Sequence, residues 1–239
     1  MTNVIASNDS YIRNSNATYT TARNATAGDN TGATYHYVGA QNGGSVYYMW
    51  RSFASFAIPD MATLTAASLF LYGSADASTV DFDVYIHTST YSNPLVVADF
   101  DLFTGHQASG VYNGTILNNA WNSSSYSATW NEIVFNAAGI AAILAAKNTT
   151  FRIVLISKND YDNTAPGVDT NEYVRFKTSS SAGLEPYLAL TFTAGGTNFQ
   201  INIGDSWKVI PAAQINIADT WKPIASAKIN IGDSWKTIF

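Results

Sequence analysis

The chain has 239 residues, a net charge of -5, 12% charged residues and no cysteine. That length accommodates one large all-β domain and a small appendage. The absence of cysteine excludes disulfides, thiolate metal centres and a cysteine nucleophile, and twelve dispersed Lys and Arg leave no basic stripe for gripping nucleic acid.

The opening "MTNVIASNDSYIRN" has neither a basic segment nor an apolar run of signal-peptide length, and no window of eighteen apolar residues follows it. The expectation is a chain with no signal peptide and no membrane span. Asn-x-Ser/Thr triplets at Asn8, Asn16, Asn24, Asn113, Asn122 and Asn148 follow from a composition rich in Asn, Ser and Thr. Up to about residue 195 the pattern is short β-branched or aromatic runs separated by Gly, Asn, Asp and Ser: "VYYMWRSFASFAI", "AASLFLYG", "DFDVYIHT", "FRIVLIS", "EYVRFKT" and "PYLALTFT". In "FDVYIHT", Phe82, Val84 and Ile86 share one face and Asp81, Asp83, Tyr85 and His87 the other, which predicts a strand with one buried side. The one predicted helix is "NAAGIAAILAAK", capped by Asn136, with Ile140, Ile143 and Leu144 on one face. Many short strands, regular turn signals and a single helix predict an antiparallel jelly-roll β-sandwich over residues 1–194. "AGGTN" at 194–198 breaks the pattern and sets the boundary with a second unit, 195–239.

That second unit states one phrase three times. Ile201 to Lys208, Ile215 to Lys222 and Ile229 to Lys236 repeat with a strict period of 14. Each copy reads as a short strand, a Gly-Asp-Ser type turn and a second strand starting at Trp, which predicts a compact hairpin or β-arc. Ala218 in place of the turn Gly, and Pro223 in place of Val209 or Thr237, show that neither position carries a strict backbone demand in every copy. A 14-residue hairpin cannot bury its own Ile and Trp, so the units are expected to stack on one another or on those of neighbouring chains. Trp207, Trp221 and Trp235, with Ile203, Ile217 and Ile231, are the candidate assembly residues, and three copies suggest a homotrimer.

Within the larger unit, Tyr48, Trp50, Trp121 and Trp130 are the candidate glycan-stacking aromatics, set against the commoner role of aromatics as core. Asp160, Asp162 and Asp169 offer oxygen ligands that suit calcium without the EF-hand order, against the commoner reading of a solvated turn. No other cofactor is expected. His36, His87 and His106 match no zinc spacing and read as surface or turn histidines. Asp81 with Asp83, and Asp99 with Asp101, would each share a strand face, but no nucleophile elbow, phosphate loop or triad accompanies them, so a non-enzymatic chain is expected.

The opening "ASNDSYIRNSNATYTTARNATAGD" and the phrase "RSFASFAIPDMATLTAASLFLYG", with Arg51, Phe56, Leu69, Leu71 and Tyr72 at its marked places, resemble the DNRLRE family. "WNEIVFNAAGIAAIL", "FRIVLISKND" and "EPYLALTF" are similar to the helix, following strand and closing strand of such modules, so the likeness spans roughly residues 4–193. The resemblance implies a jelly roll related to carbohydrate-binding modules. The C-terminal phrases resemble short "V-x-V-G-x-x-W-K" repeats of tailed-phage virion proteins. Together these imply a phage structural protein at the virion surface, assembled with other virion proteins and holding a cell-surface glycan, with no nucleic-acid or membrane partner. The alternatives are a stand-alone carbohydrate-binding protein of a bacterial surface and, from a third class, a glycan lyase or hydrolase.

Overall fold

In the computed structural model the described residues are 2–194 with their side chains and, beyond them, the backbone of six strands between 199 and 237. The chain divides into two compact units, one made of Met1–Asp60 and Leu64–Phe192, the other of Met61–Thr63 and Thr193–Phe239.

The larger unit contains β1 (Thr2–Asn16), β2 (Asn30–Gly32), β3 (Tyr35–Asn42), β4 (Tyr47–Ala57), β5 (Met61–Asp76, from Leu64 onward), β6 (Asp83–Thr88), β7 (Trp121–Asn122), β8 (Trp130–Val134), β9 (Thr150–Ser157), β10 (Asn171–Lys177) and β11 (Tyr187–Ala194, as far as Phe192). Three α-helices interrupt them: α1 (Tyr19–Arg23), α2 (Ala137–Ala145) and α3 (Lys158–Asp162). Asn136 caps α2 by accepting a hydrogen bond from the Gly139 amide at 3.0 Å, as the sequence predicts. The two five-residue helices are too short to show an apolar periodicity in the sequence.

The strands form one hydrogen-bonded path, β2-β1-β11-β5-β10-β3-β4-β9-β6-β7, with β8 on β5. A further pairing of β1 with β4 closes β1, β11, β5, β10, β3 and β4 into a six-strand ring. The fold is therefore all-β and closed, where the strand pattern alone suggests two separate sheets. Closure depends on β1 and β5, of 15 and 16 residues, each of which turns a corner and serves two sets of neighbours. β1 pairs with β11 through Ile5, passes to β4 at Ala6, and shifts its register on β4 between Ser7 and Ser10. Asn8 sits in that shift with φ 50°, a left-handed conformation that Asn tolerates better than most residues. β5 turns at Gly73, leaving β8 at Tyr72 for β10 at Phe176, and a Cβ at residue 73 would meet the Ser127 carbonyl and the Tyr126 ring.

The centre of the unit is charged. Asp160, at the start of α3, is buried and accepts two hydrogen bonds from Arg51 of β4, Nε at 2.8 Å and Nη2 at 2.9 Å. Tyr112 donates its hydroxyl to the same carboxylate at 2.7 Å, and Arg23 of α1 lies 3.6 Å away. Arg51 also donates to the carbonyls of Phe100 and Arg23, and its guanidinium stacks 4.0 Å over the Phe100 ring. Around these groups pack Ile12, Tyr19, Met49, Phe53, Phe103, Val154 and Ile156. Burial raises the Asp160 pKa, but the charge and hydrogen bonds of Arg51, with Arg23 and Tyr112, outweigh it and hold the carboxyl below its ordinary value.

In the smaller unit β12 (Phe199–Ile203) pairs with β13 (Ser206–Ile210), β14 (Gln214–Ile217) with β15 (Thr220–Pro223), and β16 (Lys228–Ile231) with β17 (Ser234–Thr237), all antiparallel. Each copy is thus a hairpin, with the second strand starting one residue before Trp. Trp207, Trp221 and Trp235 stand across from Asn202, Asn216 and Asn230, and Ile203, Ile217 and Ile231 across from Ser206, Thr220 and Ser234. The side-chain contacts expected of these residues lie outside the described part of the structure.

Asp160→Asn leaves Arg23 and Arg51 buried without a counter-charge and is expected to destabilise the fold by about 3–5 kcal/mol. Asp162→Asn, which breaks only the half-exposed pair with Lys158, is expected to cost at most about 1 kcal/mol. Urea unfolding of both variants checks the contrast.

Candidate functional site

β1, β4, β3 and β10 lie side by side, and their registers bring aromatic residues from all four strands to one face. Trp50 stands between Arg13 and Gly39, Gly39 is across from Tyr173, Tyr37 is across from Arg175, and Tyr35 is across from Lys177. β10 shows why this face reaches solvent: Glu172, Val174 and Phe176 are buried, and the alternating Tyr173, Arg175 and Lys177 are half-exposed.

The rings form a continuous array. Tyr48 stacks on Trp50 at 5.7 Å and 18°, and Tyr37 stacks on the same indole at 5.8 Å and 26°. Trp50 meets Tyr173 at 4.8 Å, Tyr37 meets Tyr11 at 4.8 Å, and Tyr35 stands edge-on to Tyr37 at 6.3 Å. Trp50 is only 7% exposed, so it is the floor of the array, and the half-exposed tyrosines present the surface. Gly39 makes the contact between Trp50 and Tyr173 feasible. Its φ is 134°, and a Cβ there would collide with the Glu172 carbonyl and the Tyr173 Cα.

Three cations border the rings. Arg13 lies 5.5 Å over Tyr48 and is paired with Asp29 at 3.0 Å. Arg175 lies 5.6 Å over Tyr37, and the Lys177 ammonium 4.8 Å over Tyr35. No described carboxylate pairs with either of these two. Flat apolar ring faces with unpaired cations at the edge suit a sugar ring that stacks and carries an anionic group.

The other candidate residues are dispersed. Trp121 is buried against Phe176, and Trp130 lies on β8 with Tyr72 and Tyr187, apart from Tyr48 and Trp50. The structure does not gather Asp160, Asp162 and Asp169 as calcium ligands. Asp160 neutralises buried arginines, Asp162 holds Lys158, and Asp169 is an exposed loop residue. Among the described residues no three His, Cys, Asp or Glu side chains come together as a metal site. Asp81 and Asp83 accept from Ser123 and Asn122, and Asp99 ends a short 3-10 turn and accepts from Ser92 and the Val96 amide.

The histidines differ from the surface residues expected. His36 is buried and bonded to Asp9 at 2.8 Å, and His87 is buried with its ring stacked on Tyr161 at 5.6 Å. Residues 103–112 add Phe103, His106 and Tyr112 to that region, covering a strand face that alternation alone assigns to solvent. Burial pushes His87 and His106 down to about 4, with the charge of Arg51 adding to the shift at His106. Tyr11, Tyr35, Tyr37 and Tyr173 were not singled out from sequence. The signal for Tyr35, Tyr37 and Tyr173 is alternation in "YHYV" and "YVRFK", and for Tyr11 alternation in "SYIRN"; each becomes part of a site only once strand neighbours are known.

Two outcomes follow from this geometry. Gly39→Ala, strained at positive φ and in collision with β10, is expected to lower stability by about 1–3 kcal/mol and to separate Trp50 from Tyr173, read by urea unfolding and near-ultraviolet circular dichroism. His87 and His106 titrate near 4 in the fold and near 6.5 when unfolded, so their contribution is complete above about 6.5 and is lost as the pH falls toward about 4. The melting temperature is expected to fall across that window, and less so in a His87→Gln, His106→Gln variant.

No protein-family model matches the chain, and a search of curated proteins gives no match either.

Proposed function

We propose that the chain is a non-enzymatic phage virion structural protein, a capsid decoration or a tail or head fibre component, which displays a carbohydrate-binding jelly-roll β-sandwich. The observation that carries the binding role is the array of six rings, Tyr11, Tyr35, Tyr37, Tyr48, Trp50 and Tyr173, drawn from four neighbouring strands and bordered by Arg175 and Lys177. A sheet whose solvent-reaching positions are aromatic rather than Ser, Thr or Asn, in a chain otherwise rich in those residues, is a surface for a partner. Sugar rings stack there, and the two cations favour glycans that carry carboxylate or sulfate groups. The virion role rests on the three hairpins of strict 14-residue period and their likeness to phage repeats. In this reading residues 195–239 join copies into a homotrimer or attach them to other virion proteins.

Isothermal titration with acidic polysaccharides is expected to show binding that weakens as salt is raised and falls about tenfold in Tyr37→Ala and in Tyr48→Ala. Absence of binding over a panel of acidic and neutral glycans would sink the glycan reading. Light scattering is expected to find a trimer that becomes a monomer when the chain ends at Ala194. A full-length monomer that still binds glycan would favour the bacterial-surface alternative.

A further inference from the structure

A second aromatic face lies on β8, β5, β11 and the first residues of β1, and nothing in the reading above uses it. Phe70 and Tyr187 stack at 4.9 Å and 8°, Trp130 stands edge-on to Tyr187 at 5.1 Å, and Tyr72 stands edge-on to Trp130 at 5.3 Å. Here the indole is open. Trp130 is 37% exposed, and Ile5, across from Tyr187 in the ladder, and Val134, four residues along β8, are 57% and 43% exposed. Glu132 sits among them, across from Phe70, and accepts a hydrogen bond from Ser68 at 2.7 Å.

The face continues into a groove of about 600 Å³ whose lining includes Thr65, Ser68, Asn119, Val134, Asn136 and Ile140. The site thus has what a small-molecule or oligomer site needs, an apolar aromatic wall, a concavity and a few polar groups facing it. Its charge is what separates it from the first face. Residues 2–6, 64–75, 130–134 and 187–192 contain no Lys or Arg, and Glu132 is their single charged residue. A polyanionic chain meets only repulsion there. A neutral sugar stacks on the exposed indole and donates its hydroxyls to Glu132, Ser68 and the Asn119 side chain.

We infer that the Trp130 face and its adjoining groove form a second glycan site, selective for neutral polysaccharide, so that one copy holds two glycans of different charge on separate faces.

The test uses the full chain with nitrogen-15-labelled tryptophan, titrated with cello-, manno- and xylohexaose. The indole signals of Trp130 and Trp50 are assigned from Trp130→Phe and Trp50→Phe. A neutral hexasaccharide is expected to move the Trp130 signal with little dependence on salt and to leave Trp50 in place. Trp130→Ala and Glu132→Gln are expected to weaken that binding about tenfold, and Tyr48→Ala to leave it unchanged. The proposal is overturned if no neutral hexasaccharide moves Trp130, if acidic glycans move it as strongly, or if it moves only with protein concentration, which would make the face a contact between copies. Failure here is distinguishable from failure of the first reading, because Trp50 reports independently on acidic glycans at the other face.

Discussion

The buried carboxylate of Asp160 is the constraint on which the arrangement of the larger unit depends. Arg51 is fully buried in the middle of β4, and such a cation is tolerated only where an opposite charge and hydrogen bonds replace its water. Because side chains alternate along a strand, directing Arg51 to Asp160 directs Trp50 to the opposite face. The ladder transmits that choice: Ile12 opposite Arg51 joins the core, and Arg13 opposite Trp50 joins the aromatic array. A one-residue slip of β4 would bury the indole beside Asp160 and expose the guanidinium, so the ion pair selects the register that creates the candidate site.

Ring closure supplies the second condition. A flat sheet of this composition would leave long edges available to other chains. Corners at Asn8 and Gly73 let two strands each serve two neighbours, and those corners also separate the two aromatic faces. With only 12% charged residues, few groups set the electrostatics of either face. Arg175 and Lys177 beside the tyrosines, and Glu132 beside Trp130, therefore set the sign of each surface almost alone.

Several of these features were legible in the sequence. Period-two runs located the strands, Asn136 located the start of α2, and the 14-residue period located the hairpins, because each is a local signal. Closure was not legible, since it depends on which distant strands meet, and neither Asn8 nor Gly73 announces a corner rather than a turn. Asp160 was misread for a related reason. In sequence it belongs to an acidic loop, "NDYDN", and its neutralising partners Arg51 and Arg23 lie more than a hundred residues away. His87 was assigned to solvent by alternation, and only the packing of residues 103–112 over that face reverses the assignment. Tyr48 and Trp50 stand two residues apart on one strand and so share a face, whereas Tyr37 and Tyr173 join them only through the ladder.

The two units are complementary in what they lack. Stacking on an open face with few hydrogen bonds gives weak binding, because each sugar stays partly solvated and buried area is small. A 14-residue hairpin, in turn, has too little interior to hold its own Ile and Trp away from water and gains stability only by joining others. In the proposed assembly the second deficit remedies the first. Hairpins that join copies place several weak glycan faces on one particle, and once one face has engaged a polymeric glycan, the next binds at an effective concentration set by their spacing. Such an arrangement needs no deep pocket in either face, in keeping with a site built as a sheet of tyrosines over a single buried indole.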